Sequence, residues 1–217
     1  MGKIIAVDGP AGAGKSTVSK IVAAKLGYTY IDTGAMYRAV GLKFLRSGQP
    51  LTENFLAEIT KDIEIKLDES AKVYLDGEEV TKEIRTPEVS KLASDVSKFG
   101  FVRKKLTELQ REMAAKGSVI MDGRDIGTQV LPNADLKIFL TASLQERARR
   151  RFEELKLKNS SVTLDDVEKE IFLRDKQDSE REIAPLAKAD DAILIDSTNL
   201  SVDEVVEKIL ELVISEK

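Results

Sequence analysis

The chain has 217 residues, of which 42% are hydrophobic and 33% charged, with 34 basic and 38 acidic side chains and a net charge of −4. This composition is typical of a folded, enzyme-sized domain and excludes wholesale disorder. The chain contains no cysteine and no histidine. Disulfides, thiolate nucleophiles and histidine as general base or metal ligand are therefore excluded.

The slightly acidic charge balance gives no overall attraction to polymeric nucleic acid or to anionic lipid. The apolar run Ile4–Val7 is too short for a signal peptide or a membrane span. We therefore expect a cytoplasmic protein that binds neither membranes nor nucleic acid. The sequence has no obvious apolar stripe that would mark a subunit interface, so we expect a monomer.

Five short apolar runs, spaced along the chain and ended by polar or turn residues, predict buried strands. They are Lys3–Asp8, Tyr28–Asp32, Ser118–Asp122, Leu136–Leu140 and Ala192–Asp196. Amphipathic helical patterns lie between them, as where Val18, Ile21 and Val22 share one face. This alternation predicts an α/β fold with a five-stranded parallel sheet.

One stretch does not follow this alternation of strand and helix patterns. From Ile63 to Val80 apolar and polar residues alternate, and Asp76-Gly77 is a typical two-residue hairpin turn. We therefore expect a small antiparallel β insert in this part of the chain.

Several helix starts are marked by a hydroxyl residue followed three positions later by an acidic residue, the spacing of a capping box. These pairs are Ser143 with Glu146, Thr163 with Asp166 and Ser201 with Glu204. Thr86 precedes Pro87 at another predicted first turn.

The segment Gly9–Thr17 reads GPAGAGKST and fits the pattern GxxxxGKS, after a predicted strand and before a predicted helix. Its small residues let several backbone N–H groups converge on an anion, helped by the positive end of the helix. Lys15 is expected to reach the terminal phosphates of a nucleotide, and Ser16 to ligate Mg²⁺. A plain glycine-rich connection is the alternative, and the motif together with its context disfavours it. The predicted donor-binding residues are Gly9, Pro10, Ala11, Gly12, Ala13, Gly14, Lys15, Ser16 and Thr17.

A phosphate-binding loop (P-loop) of this kind occurs in switch GTPases as well as in kinases. A switch GTPase needs an Asp-x-x-Gly segment after a later strand and an Asn- or Thr-Lys-x-Asp guanine-binding segment, and neither occurs in the sequence. The sequence therefore favours a kinase that acts on a small acceptor.

Two further segments suggest where an acceptor binds. In DTGAMYR, Asp32–Arg38, Thr33 and Gly34 open a predicted helix, and its positive end together with Tyr37 and Arg38 suits a second phosphate. A capped helix with an exposed arginine would explain that segment alone equally well. The segment MDGRDIG, Met121–Gly127, places charged residues directly after a buried strand, where ligands of parallel sheets bind.

Six stretches together resemble the bacterial cytidylate kinases: DGPAGAGKST, DTGAMYR, EIRTPEVS, DGRDIGT, KIFLTAS and RDKQDSEREIAPL. The resemblance runs from Lys3 to Leu210, and its DGRD and RDxxDSxR stretches are more family-specific than the P-loop. It implies a P-loop nucleoside monophosphate kinase, a three-layer fold of the P-loop NTPase type, that transfers the γ-phosphoryl group of ATP to CMP or dCMP with Mg²⁺. The core would span about 1–60 and 98–217, the β insert of the monophosphate-binding region about 61–97, and a lid about 147–161.

The resemblance also implies which side chains bind CMP. The phosphate would be held by Thr33, Tyr37, Arg38 and Arg124, the base by Ser94, Arg103 and Asp125, and ribose and phosphate by Arg174, Asp178 and Arg181. This choice is chemically sensible for cytosine. A carboxylate at Asp125 can accept from its exocyclic amine, while Arg103 and Ser94 donate to its acceptors.

Phosphoryl transfer passes through a loose transition state that needs alignment and charge neutralisation more than a strong base, which suits a chain without histidine. The predicted catalytic residues are Lys15, Arg124, Arg174 and Arg181, joined by lid arginines among Arg147, Arg150 and Arg151. A solvated helix face is an equal alternative for that arginine cluster. Two other functions stay open: a kinase for UMP or AMP, and an ATP-binding scaffold or regulator that does not act on CMP.

Overall fold

The computed structural model describes residues 2–68, 70–157 and 162–215. Its strands are β1 (Ile4–Asp8), β2 (Thr29–Asp32), β3 (Ile65–Leu67), β4 (Val73–Leu75), β5 (Glu78–Glu79), β6 (Val119–Asp122), β7 (Leu136–Thr141) and β8 (Ile193–Asp196). Its α-helices are α1 (Lys15–Leu26), α2 (Thr33–Ser47), α3 (Glu53–Lys61), α4 (Pro87–Val96), α5 (Gly100–Ala114), α6 (Leu144–Lys156), α7 (Leu164–Ser179) and α8 (Val202–Ser215). A 3-10 turn covers Glu83–Arg85 and a π-helical turn covers Ile126–Val130.

The larger sheet has five strands in the order β2-β6-β1-β7-β8. Strand β1 pairs in parallel with β6 and with β7, and β7 pairs in parallel with β8. In this register Ile5 lies opposite Ile120 on one side and Leu136 on the other. The five strands match the five apolar runs, so the predicted α/β fold with a parallel sheet is confirmed.

The smaller sheet has three antiparallel strands in the order β3-β4-β5. Strands β4 and β5 are joined by Asp76 and Gly77, both with positive φ (49° and 88°). A two-residue turn with positive φ at both positions is the one that Asp-Gly favours, because it matches the twist of the paired strands. The predicted antiparallel insert is therefore present.

The helix starts follow local rules at most of the predicted positions. Thr86 caps α4 ahead of Pro87, and Thr163 forms a complete capping box with Asp166. The pair at Ser143 differs from the prediction. The Ser143 hydroxyl accepts from the Glu146 N–H, but the Glu146 carboxylate binds two arginines of α6 instead of closing the box.

The chain divides into two compact units. The first, which we call the donor unit, combines Met1–Tyr28 with Ser118–Lys217, and its core includes Ile5, Ile120 and Leu140, all fully buried. The second, the insert-bearing unit, is Thr29–Gly117, with a core of its own. That core is built around the buried side chains of Met36, Leu56, Ile84 and Leu106. None of the helices in the described part of the chain is long and apolar enough to cross a membrane.

Candidate active site

The P-loop joins β1 to α1, and its three glycines, Gly9, Gly12 and Gly14, all have a positive φ that other residues rarely adopt. Gly9 has φ +147°, and a Cβ there would lie 1.9 Å from the Leu140 carbonyl oxygen. Gly14, the residue before α1, has φ +89°. The backbone therefore turns sharply beside β7 and directs the start of α1 toward the end of β1.

Lys15, the first residue of α1, is only 5% exposed. Its Nζ donates to the carbonyl oxygens of Gly9 and Pro10, each at 2.7 Å. Burial, reinforced by the positive charge of Arg124, holds the pKa of Lys15 well below its ordinary value. A bound phosphate would favour the charged ammonium, so this site is suited to an anion.

Ser16 Oγ donates to Asp122 Oδ2 at 2.7 Å. Asp122 ends β6, the neighbour of β1, and its side chain is buried. Asp122 lies within the DGRD segment, but the sequence alone assigns it no individual role. The available signal is an apolar strand ending in Asp, the pattern of the aspartate that holds Mg²⁺ together with the P-loop Ser or Thr in P-loop enzymes.

Arg124 lies in an ion-pair cluster with α7 and the segment that follows it. Its Nε donates to Asp178 Oδ2 at 2.9 Å, and Arg181 Nη1 lies 3.5 Å from Asp178 Oδ1. Burial raises the pKa of Asp178, but the positive charges of Arg124, Arg181 and Arg174 outweigh it and keep that pKa below its ordinary value. Arg174, Asp178 and Arg181 are spaced four and three residues apart, and the donor unit thus brings these predicted residues together.

Asp8, at the end of β1, holds the segment that carries Arg124 and Asp125. Its two carboxylate oxygens accept from the backbone N–H groups of Ile126 at 2.8 Å and Gly127 at 2.7 Å. Burial raises the pKa of Asp8 to about 6, although these two hydrogen bonds oppose the shift. The π-helical turn begins at Ile126, and turns of this kind are frequent at functional sites.

The three predicted lid arginines lie on α6 and differ in their surroundings. Arg147 is buried, and its guanidinium donates to the carbonyl oxygens of Ala142 and Ala11. Arg150 donates to the Ser197 carbonyl oxygen at 2.6 Å and to the Ser197 hydroxyl at 3.1 Å, while the more exposed Arg151 pairs with Glu154 at 3.0 Å. Residues 158–161 of the predicted lid lie outside the described residues.

The insert-bearing unit carries the other half of the predicted acceptor residues: Thr33, Tyr37, Arg38, Ser94 and Arg103. The Arg103 guanidinium lies over the Tyr37 ring, 5.5 Å from its centroid, and Arg103 is buried. Arg38 pairs with Asp32 at 3.1 Å, and Asp32 also accepts from the Ala35 N–H at the start of α2. Ser94 lies on α4, half-buried.

A glycine-rich loop between a parallel strand and a helix, with a buried lysine and a serine–aspartate pair at its end, defines the phosphate-binding core of a P-loop kinase. The sequence matches the family model described as cytidylate kinase over residues 5–215. The chain therefore belongs to the cytidylate kinase family. The prediction that it is a phosphotransferase of the (d)CMP kinase type is confirmed at the level of that family.

Curated relatives and solved structures agree with this assignment. The cytidylate kinase of Caldicellulosiruptor bescii is 59% identical over 212 residues, which cover 96% of this chain and 94% of that protein. The cytidylate kinase of Bacillus licheniformis is 54% identical, covering 96% of this chain and 95% of its own length. The shikimate kinase of Acinetobacter baumannii, solved with shikimate, has a TM-score of 0.51 at 17% identity, covering 100% of this chain and 96% of that one. This last likeness supports the fold alone.

Proposed function

We propose that the chain transfers the γ-phosphoryl group of ATP, with Mg²⁺, to CMP or dCMP, giving CDP or dCDP. The observation that carries this proposal is a P-loop with a buried Lys15 in a chain that belongs to the cytidylate kinase family. The reaction would supply nucleoside diphosphates to pyrimidine nucleotide metabolism. We also propose that the enzyme works as a cytoplasmic monomer that binds neither membranes nor polymeric nucleic acid.

The donor is proposed to bind at Gly9–Thr17. The start of α1 has backbone N–H groups and no side-chain cap from the described residues, so a phosphate can accept from them. Lys15 is already buried at this end of the helix. Its ammonium would neutralise charge on the terminal phosphates as the bond to the leaving group breaks.

Mg²⁺ is proposed to be held by Ser16 and Asp122. Both supply oxygen ligands, which Mg²⁺ prefers, and the Ser16–Asp122 hydrogen bond of 2.7 Å already brings these oxygens together. When bound, the ion would neutralise charge on the donor phosphates. The chain's own part is to orient these two oxygens, one from the P-loop and one from β6.

Each unit carries residues that are proposed for the acceptor. In the donor unit, Arg124, Arg174, Asp178 and Arg181 form a charged cluster suited to a phosphate and a ribose. In the insert-bearing unit, Thr33, Tyr37, Arg38, Ser94 and Arg103 are the remaining candidates. Asp125, buried at the end of the DGRD segment, is the proposed acceptor for the cytosine amine.

A coupled assay of the purified chain with ATP, Mg²⁺ and a panel of CMP, dCMP, UMP, AMP and GMP tests the proposal. We expect efficient turnover of CMP or dCMP and slow ATP hydrolysis when no acceptor is present, because closure normally requires both substrates. Preferred turnover of UMP or AMP would make the chain a kinase for another nucleotide. ATP binding without any product would indicate a scaffold or regulator.

Asp125→Ala tests base recognition separately. Removing the carboxylate should reduce the preference for CMP over UMP by at least an order of magnitude, roughly the effect expected when a buried polar partner is lost. ATP affinity should change far less. The ratio of kcat/KM for CMP to that for UMP, measured beside KM for ATP, gives the answer, and an unchanged ratio would contradict the role.

A further inference from the structure

Ala11, in the first half of the P-loop, is held by an ion pair from two other helices. Its N–H donates to Asp175 Oδ1 of α7 at 2.9 Å, and its carbonyl oxygen accepts from Arg147 Nη1 of α6 at 2.9 Å. Arg147 Nη1 also donates to Asp175 Oδ2. One Arg–Asp pair therefore binds both polar backbone groups of a single P-loop residue.

The Arg147–Asp175 ion pair is largely shielded from water, and Arg147 is held in place by a further hydrogen bond. The side chains of Arg147 and Asp175 are 9% and 17% exposed, and Arg147 Nε donates to the Ala142 carbonyl oxygen at 2.9 Å. Charge-assisted hydrogen bonds of this kind are strong and directional, and removing Asp175 would leave the buried Arg147 charge without this partner. The conformation at Ala11 is therefore tied to the position of α6 and α7.

Packing supports the same connection. The Ala11 side chain belongs to an apolar cluster with Ala148 of α6 and with Val167 and Ile171 of α7. A Cβ at Gly12 would lie 3.1 Å from both the Cβ and the carbonyl oxygen of Arg147. The P-loop backbone therefore approaches α6 as closely as glycine allows.

Helix α7 connects this contact with the acceptor cluster. Asp175 contacts the P-loop, while Asp178, three residues further along the same helix, binds Arg124. Helix α7 therefore carries both the contact with the P-loop and the contact with Arg124.

We propose that Arg147 and Asp175 are positioning residues that set the conformation of the donor loop at Ala11 and link it to α7. In this role Arg147 does not act on the transferred phosphoryl group. The inference rests on the proposed function for the identity of the donor, ATP, but it concerns the shape of the loop and not the acceptor.

The test replaces Asp175 by Asn, which keeps the shape but removes the charge and one acceptor oxygen. Asp165→Asn, the same change at an exposed position of α7, is the matched control. Titration calorimetry with Mg²⁺ and a non-hydrolysable ATP analogue measures donor affinity without any acceptor. Steady-state assays give KM for ATP and for CMP, and thermal unfolding reports stability.

We expect Asp175→Asn to weaken binding of the analogue and to raise KM for ATP about tenfold, the effect of losing one charge-assisted hydrogen bond. KM for CMP should change less than about twofold, and Asp165→Asn should behave as the unmodified chain. Arg147→Lys keeps the positive charge but loses the several N–H groups of the guanidinium. It should also weaken binding of the analogue and raise KM for ATP. The double variant should be little worse than the poorer single variant, because the two residues act as one unit.

A lower melting temperature with unchanged analogue affinity would overturn the proposal, since the pair would then only join α6 to α7. A loss of kcat in Arg147→Lys without any change in donor affinity would overturn it as well, because Arg147 would then act on the reacting group. If Asp175→Asn does not fold, the milder Arg147→Lys decides by the same criteria. Failure of the unmodified chain to phosphorylate CMP would refute the proposed function, yet the analogue titrations would still test the loop.

Discussion

The two helices expected to bind phosphate begin in opposite ways. Both follow a parallel strand that ends in aspartate, β1 at Asp8 and β2 at Asp32. Asp32 caps its own helix by accepting from the Ala35 N–H at 2.8 Å, and it pairs with Arg38. Asp8 is separated from α1 by the P-loop and instead binds the amides of Ile126 and Gly127.

This difference shows which features allow the N-terminal end of a helix to bind an anion. At α1 the residue before the helix is Gly14, and no described side chain occupies the N-terminal amides. At α2 the Asp32 carboxylate already places a negative charge at the positive end of the helix. A phosphate near α2 would therefore depend on side chains such as Arg38 more than on the helix end.

The largest expected effect comes from a substitution at the start of α1, where the donor phosphates are proposed to bind. Lys15→Ala should lower kcat on the order of 100-fold or more, because a preorganised positive charge at the transferring phosphates is lost. Circular dichroism should show an intact fold. Steady-state kinetics with Lys20→Ala, an exposed lysine of the same helix, is the control, and near-normal turnover by Lys15→Ala would refute the assignment.

The contribution of Asp8 to stability can be tested through the pH dependence of the free energy of unfolding. The pKa of Asp8 is raised from 3.8 to about 6 by burial, so the folded state holds this proton more tightly than the unfolded state. The contribution of Asp8 to stability is therefore greatest below pH 4 and is lost as pH rises through about 6. Relative to Asp8→Asn, the free energy of unfolding should fall on the order of 2–3 kcal/mol across this window.

Urea titrations of the unmodified chain and of Asp8→Asn between pH 4 and 7 measure this difference. Taking the difference between the two proteins cancels the other carboxylates, which they share. A difference that stays flat, or one that rises with pH, would contradict a buried Asp8 with a raised pKa.

The smallest expected effect concerns the start of α2. Asp32→Ala should lower the free energy of unfolding by about 1 kcal/mol, the usual effect of losing a helix N-cap. Asp32→Asn keeps an acceptor for the Ala35 N–H and should be closer to the unmodified protein. Urea denaturation of the two variants distinguishes a cap from an ion pair, since equal losses would assign the effect to the pair with Arg38.

Much of the fold followed from local rules in the sequence. The apolar runs predicted all five strands of the parallel sheet, and Asp76-Gly77 predicted the hairpin of the insert. The motif at Gly9–Thr17 identified the P-loop, because glycine and small residues are needed wherever backbone curls tightly or approaches another strand. These features depend on neighbouring residues, and the sequence therefore carries them directly.

Other features were decided by tertiary structure. The hydrogen bonds from Ser16 to Asp122 and from Ala11 to Asp175 join residues 106 and 164 positions apart. Arg147 belongs to a run of arginines that reads as a solvated or mobile helix face, yet it is buried against the P-loop. The sequence by itself determined the strands, the turns and the phosphate-binding motif. Only the packing of α6 and α7 decided which charged side chains contact that motif, because local spacing does not encode the partner of a long side chain.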